Sequence, residues 1–502
     1  MRNRKQTIDG WLSTHAAHQP DKIALRFEGQ SWSYRALDEW VSRLASALHN
    51  DLDLTRGDRI AFYGHNSATE VALFFAAAKI GLIMVPLNWR LVPEELRYIV
   101  GNADVKVLFY GPEFAEDALS IIDPEQTRSI NADSELPALA DGPAKPVTTA
   151  ALADPYLIVY TSGTTGRPKG AVLTQEAVFW NALTSLHAHD FTAQDHTLNM
   201  LPLFHVGGIN IQMMPCFFAG GTVTLHAAFD PDATIKALEN EGITVAVAVP
   251  TIMRALIGNP AWADAKFSTL RMISTGSTDV PVDILKAVNA RGIPAVQIYG
   301  ATETGPVSTY QRAAEAAQTI GSIGRPGAHT QIRVVRPDGS DCETDEPGEI
   351  WVKGANNFAY YWQDPKATAE AVEDGWFKTG DVARRDSDGL LWFVSRLKHV
   401  IISGGENVYP AELERILSTV PGVKDVAVVG RADDRWGEVP VVVAVTEDDG
   451  PSRETLLTAC DGKIARFKRP KDVVVVDALP KNALGKIVVD DVRKLVTGET
   501  QS

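Results

Sequence analysis

A chain of 502 residues exceeds what one hydrophobic core organises and implies two to four structural units. Apolar residues at 45% and charged residues at 22% describe an ordinary globular protein; a formal net charge of −15, from 48 basic and 63 acidic residues, argues against a general nucleic-acid surface, which needs a basic face. Cys216, Cys342 and Cys460 lie too far apart for a metal knuckle or a disulfide framework, which fits a reducing compartment and a packing role.

The basic start, Met1-Arg-Asn-Arg-Lys, is interrupted by Asp9 and Gly10 before the apolar core of a leader can form. No run approaches the ~20 apolar residues that span a bilayer, so a cytoplasmic protein is expected. Helical patterns over 33–49 and 68–81 then alternate with short apolar strands over 59–63 and 105–110, the rhythm of a layered α/β unit. A polar connector rich in alanine and proline, 123–155, leads to an apolar strand.

Residues 160–170 follow that strand and read Tyr-Thr-Ser-Gly-Thr-Thr-Gly-Arg-Pro-Lys-Gly. Glycines admit close backbone approach, the hydroxyls of Thr161, Ser162, Thr164 and Thr165 can donate to phosphate oxygens, and Lys169 supplies charge. Such a loop suits a polyphosphate. It is not a Walker A loop: the Gly-x4-Gly-Lys-Ser/Thr spacing is absent, Pro168 stands where a helix would begin, and 171–173 reads as a second strand.

Further strands over 245–249, 270–274 and 294–299, separated by helical stretches, point to doubly wound sheets. From residue 400 the texture changes to β-branched runs over 423–430, 439–446 and 473–476, with helices over 411–419 and 453–464. A separate α+β unit of roughly a hundred residues fits this pattern.

Four more segments accompany the phosphate-like loop: Tyr299-Gly-Ala-Thr-Glu303, Thr379-Gly-Asp381, Arg396-Leu-Lys398 followed by 401–407, and Pro480-Lys-Asn-Ala-Leu-Gly-Lys486. In this order and at these intervals the chain resembles the adenylate-forming superfamily, which includes acyl-CoA synthetases, luciferases and peptide-synthetase adenylation domains. The resemblance implies a large N-terminal AMP-binding domain, 1–396, of doubly wound sheets with a distorted β-barrel, and a small mobile α+β lid, 397–502. It implies ATP, Mg²⁺ and CoA acting on a small carboxylic acid.

The chemistry explains the residue types. Joining a carboxylate to AMP brings two anions together, and at an effective dielectric of ~20 two unit charges ~4 Å apart repel by about 4 kcal/mol. Cations must offset this, and Lys169, Lys486 and Mg²⁺ are the candidates. By resemblance Glu303 would hold Mg²⁺, Thr302 would bond the α-phosphate, and Tyr299 with Gly300 would face adenine. Asp381 and Arg396 would hold the ribose. The phosphate loop is Thr161, Ser162, Gly163, Thr164, Thr165 and Lys169. Ser277, Thr278 and Asp279 stand where the family usually has a Gly-Gly-Ala-Pro segment; backbone contacts to adenine survive that change, but Asp279 in place of proline stiffens the loop less.

His205 occupies the position where the family places an aromatic residue or histidine near the reacting carboxylate. Gly207, Gly208, Ile209, Met213, Val249, Thr251 and Val307 are candidates for an acyl tunnel, with plain core the bland alternative. Lys398 would be the hinge. Gly404, Gly405 and Glu406 offer a narrow backbone path for pantetheine, and Lys468 and Arg469, with Arg466 and Lys471, form a basic cluster able to meet CoA phosphates or simply to face solvent. A carboxylic acid:CoA ligase follows, with a medium- or long-chain fatty acid first and an aryl acid second. A stand-alone adenylation enzyme and a catalytically silent adenylate-binding regulator are the rivals.

Overall fold

The computed structural model describes residues 7–145, 147, 150–161, 167–276, 280–403, 406–433, 436–461, 463–464, 468–482 and 486–497, with backbone alone at 406 and 407. Internal packing divides the chain into one unit of Met1–Ile332 with Val352–Lys378 and another of Arg333–Trp351 with Thr379–Ser502. Packing therefore groups residues 379–396 with the C-terminal segment, upstream of the boundary that the resemblance implies at 396.

In the first unit, local chemistry sets the elements. Ser33 and Ser67 accept from Ala36 N and Glu70 N, so the helices Tyr34–Asn50 and Ala68–Ile80 begin on capped ends. Gly81, at φ 75°, closes the second in the left-handed region. Between and after these helices run Arg59–Tyr63, Ile83–Leu87 and Val105–Tyr110, parallel strands of a seven-stranded sheet. Pro155–Thr161 and Lys169–Thr174 continue it as an antiparallel pair, and Tyr360–Tyr361 pairs at its edge. The phosphate-like loop thus joins two strands, as its composition predicts.

The connector over 123–155 is not wholly irregular. Arg128–Asn131 pairs parallel with Val105–Tyr110 at the sheet's other edge. Being an edge strand with one buried side chain, Ile130, it lacks the apolar run that would reveal it.

A nine-stranded sheet carries the expected strands as Val245–Val247, Met272–Thr275 and Ala295–Tyr299, mutually parallel, with Thr309–Tyr310 antiparallel beyond them. Parallel strands end together, so Thr275 and Tyr299 point their following loops to one side.

In the second unit, Val423–Asp433 and Gly437–Thr446 form a long antiparallel pair, and Asp472–Val475 runs parallel to the latter. Val426, Val428, Val442 and Ala444 pack on one face with Leu413 and Leu417, while Ala427, Val429, Val441 and Val443 pack on the other with Val492. Burial on both faces explains the unbroken β-branched runs. No helix among the described residues is long and apolar enough to cross a membrane.

Candidate active site

Within the first unit, Tyr299 ends its strand and the chain turns sharply. A Cβ at Gly300 would lie 1.6 Å from Pro306 O, so no side chain fits there. Ala301 N donates to Thr304 Oγ1 (2.9 Å), closing a 3-10 turn over Thr302–Thr304 in which Thr302 and Glu303 are both buried, each at 8% exposure. Three buried amides hold the segment that follows. Asn356 Nδ2 donates to Thr304 O (2.6 Å), Asn210 Nδ2 to Gly305 O (3.0 Å), and Val307 N donates to Asn181 Oδ1 (2.9 Å). Asn181 Nδ2 in turn donates to Asn210 O at 2.7 Å. Scattered over the sequence, these asparagines form no motif: Asn181 and Asn210 lie in helical segments and Asn356 in a turn after the strand Gly348–Gly354.

Glu303 accepts from the Tyr361 hydroxyl at 2.7 Å, and its carbonyl accepts from Phe358 N at 2.7 Å. Lys169 opens its strand with Nζ 5.4 Å from the centroid of the Tyr361 ring. Thr161 lies opposite Lys169 in the ladder, its Oγ1 donating to Lys169 O at 3.5 Å. The candidates Ser162, Gly163, Thr164 and Thr165 lie outside the described residues, as do Ser277, Thr278 and Asp279. The strand leading to the latter loop is nonetheless pinned. Gln212 Nε2 donates to Ser274 Oγ at 2.8 Å, Thr197 Oγ1 donates to Gln212 Oε1 at 2.7 Å, and His189 Nε2 lies 3.1 Å from the same serine. Burial pushes the His189 imidazole down to about 4, so it stays neutral and serves structure.

His205 is half-buried, and Gly207 N donates to its Nδ1 at 3.1 Å. A backbone N–H is always a donor, so Nδ1 is the accepting nitrogen of this pair. Gly207 leads into a π-helix, Gly208–Met213, that is buried throughout. Ile209 and Met213 belong to one core cluster and Val307 to another, whereas Thr251 is exposed in the first turn of Pro250–Gly258. Val249 N-caps that helix and packs against the second cluster.

Within the second unit, Asp381 and Arg396 are ladder partners, with Arg396 Nε 3.2 Å from Asp381 Oδ1. Gly380, at φ 70°, turns the strand, and its N–H donates to Glu349 Oε1 at 2.9 Å. Lys486 is held by a turn in which its N donates to Asn482 Oδ1 (3.0 Å) and Asn482 N donates to Lys486 O (2.8 Å). Burial, then the positive charge of Arg396, pushes its ammonium down to about 8, against the opposing pull of Asp381. Lys486, Asp381 and Arg396 are therefore electrostatic neighbours.

Lys398 lies in the 3-10 turn Leu397–His399, and its carbonyl accepts from Arg493 Nη2 at 3.2 Å. Glu406 pairs with Ser403 through the backbone, while Gly404 and Gly405 lie outside the described residues. Lys468 Nζ is 2.7 Å from Glu412 Oε2 and Arg469 Nη1 is 2.8 Å from Asp461 Oδ1, so any CoA phosphate would compete with carboxylates. Arg466 is outside the described residues.

Known proteins give this geometry its context. The family model described as AMP-binding enzyme matches residues 12–362, and that for the AMP-binding enzyme C-terminal domain matches 412–486. An indoleacetate–CoA ligase of Aromatoleum aromaticum is 44% identical over 98% of this chain and 99% of its own. A feruloyl-CoA synthase of an Amycolatopsis species is 39% identical with the same coverage. The solved o-succinylbenzoate CoA synthetase of Bacillus subtilis, in complex with its acyl-adenylate intermediate, superposes with a TM-score of 0.87 at 30% identity, covering 96% of this chain and 97% of that one.

Proposed function

This chain belongs to the AMP-binding enzymes, within the adenylate-forming superfamily of ATP-dependent acid–thiol ligases, and we propose that it joins an aromatic or arylalkyl carboxylic acid to CoA. The end-to-end similarity to an indoleacetate–CoA ligase carries the choice of acid, supported by the feruloyl-CoA synthase. An aryl acid thereby moves ahead of the fatty acid that the sequence texture alone favours. The small residues Gly207 and Gly208 beside His205 suit a flat ring as readily as an alkyl chain. A cytoplasmic site of action is part of the same proposal.

In the first half-reaction a carboxylate oxygen bonds the α-phosphorus of ATP, the P–O bond to the β-phosphate breaks, and pyrophosphate leaves. In the second, the CoA sulfur gives up its proton and bonds the acyl carbon, and AMP leaves. Lys169 and the hydroxyls of its loop hold the phosphates, Thr302 donates to the α-phosphate, and Asp381 accepts from the ribose hydroxyls beside Arg396. Lys486 bridges the acid and the α-phosphate in the first step, and the backbone of 404–406 receives pantetheine in the second.

Glu303 suits Mg²⁺: it is a buried carboxylate, fixed by a phenol donor, and oxygen ligands are what a hard cation takes. Among the described residues no group of three or more His, Cys, Asp and Glu side chains could form a metal cage. When bound, Mg²⁺ would neutralise charge on the departing pyrophosphate.

Thioester formation and AMP release over indole-3-acetate, phenylacetate, ferulate, benzoate, octanoate and palmitate test the reading. The best aryl acid should exceed the better fatty acid in kcat/KM by about 10-fold or more, the discrimination that pocket shape readily supplies. A preference for either fatty acid would overturn the choice of substrate while leaving the ligase chemistry standing.

A further inference from the structure

Tyr361 does two things at once. Its hydroxyl donates to Glu303 Oε1 at 2.7 Å, and its ring lies 5.4 Å from Lys169 Nζ. The backbone around it is clipped to the same two segments. Tyr361 faces Ala171 in the ladder, Trp362 N donates to Gly170 O at 2.7 Å, and Phe358 N donates to Glu303 O at 2.7 Å. Thr368 Oγ1 accepts from Tyr361 N at 2.9 Å, and the ring packs on Phe358 with centroids 4.8 Å apart. The side chain, at 8% exposure, has little freedom to leave.

We propose that Tyr361 is a positioning residue that presents the Glu303 carboxylate to the nucleotide-bound metal and the Lys169 ammonium to the phosphates. A carboxylate and an ammonium gathered for one substrate attract each other, and a direct pair between them would compete with the substrate for both. The phenol gives each a different handle: an O–H for the carboxylate and a π-face for the cation. The donated hydrogen bond fixes the carboxylate through Oε1, which is how outer-shell partners orient a ligand. The inference rests on the reading of Glu303 as the metal-bearing carboxylate.

The test is Mn²⁺ binding to the full-length protein in the presence of ATP and absence of acid, followed by electron paramagnetic resonance. Tyr361→Phe keeps the ring and its packing and removes only the hydroxyl. It should weaken Mn²⁺ about 10-fold, the usual effect of losing an outer-shell donor, and leave ATP binding without metal close to wild type. Tyr361→Leu removes the ring as well and should also weaken metal-free ATP binding through Lys169. In Glu303→Gln the further change Tyr361→Phe should add little, because the hydroxyl acts through that carboxylate. Unchanged Mn²⁺ affinity in Tyr361→Phe, or additive effects of the two substitutions, overturns the role of Tyr361. Unchanged Mn²⁺ affinity in Glu303→Gln itself overturns the metal assignment beneath it.

Discussion

Lys486 combines two properties that matter for its chemistry: burial and Arg396 hold its ammonium down to about 8, and Asp381 lies within electrostatic reach. A cation that bridges two anions works only while protonated. In the free enzyme that form dominates below about 8 and is lost as pH rises through that value. The kcat/KM of adenylation should therefore fall on the alkaline side with an apparent pKa near 8, and Lys486→Arg should move that limb beyond the accessible range while lowering the plateau. An alkaline limb unchanged in Lys486→Arg would assign the titration to another group. Lys486, Glu303, Asp381 and Arg396 stand in short motifs, and the resemblance those motifs carry together makes them candidates in the sequence. Tyr361 stays silent: its partners, Glu303 and Lys169, lie 58 and 192 positions away and meet it only through strand pairing.

At the scale of elements, helical patterns alternating with short apolar runs foretell the helices Tyr34–Asn50 and Ala68–Ile80 and the strands that follow. The edge strand Arg128–Asn131 escapes because sheet edges tolerate polar sequence, and the asparagine clamp over 304–307 escapes because it is assembled from three distant elements. Asn181→Ala leaves the buried Val307 N–H without its acceptor, which costs about 1–3 kcal/mol. Urea unfolding should show that loss. Equal stability in Asn181→Ala and wild type would remove the clamp from the account. The turn Leu397–His399 bears the proposed hinge, and Lys398→Pro restricts φ there. Adenylation should survive in this variant while thioester formation drops by about 10-fold or more, as expected where a conformational step gates the second reaction. Equal losses in both would move the pivot elsewhere.

For the whole molecule, the candidate residues fall in both compact units, Lys169, Thr302 and Glu303 in one and Asp381, Arg396 and Lys486 in the other. Motif order and the change of texture near residue 400 make the two-part organisation legible, but no motif encodes that residues 379–396, whose strands share a sheet with Gly348–Gly354, group with the C-terminal segment. Acid identity is equally hidden, since pocket depth depends on side-chain directions that no motif fixes. The most direct measurement is acid-dependent exchange of labelled pyrophosphate into ATP without CoA, paired with thioester formation from supplied aryl-adenylate and CoA, in wild type and Lys486→Ala. Wild type should perform both, with exchange driven by an aryl acid. Lys486→Ala should lose exchange by roughly 10²- to 10³-fold, the scale of one preorganised charge at the reacting centre, and keep thioester formation near the wild-type rate. Wild-type protein that binds ATP yet exchanges with no acid, or a variant equally impaired in both half-reactions, would contradict the account.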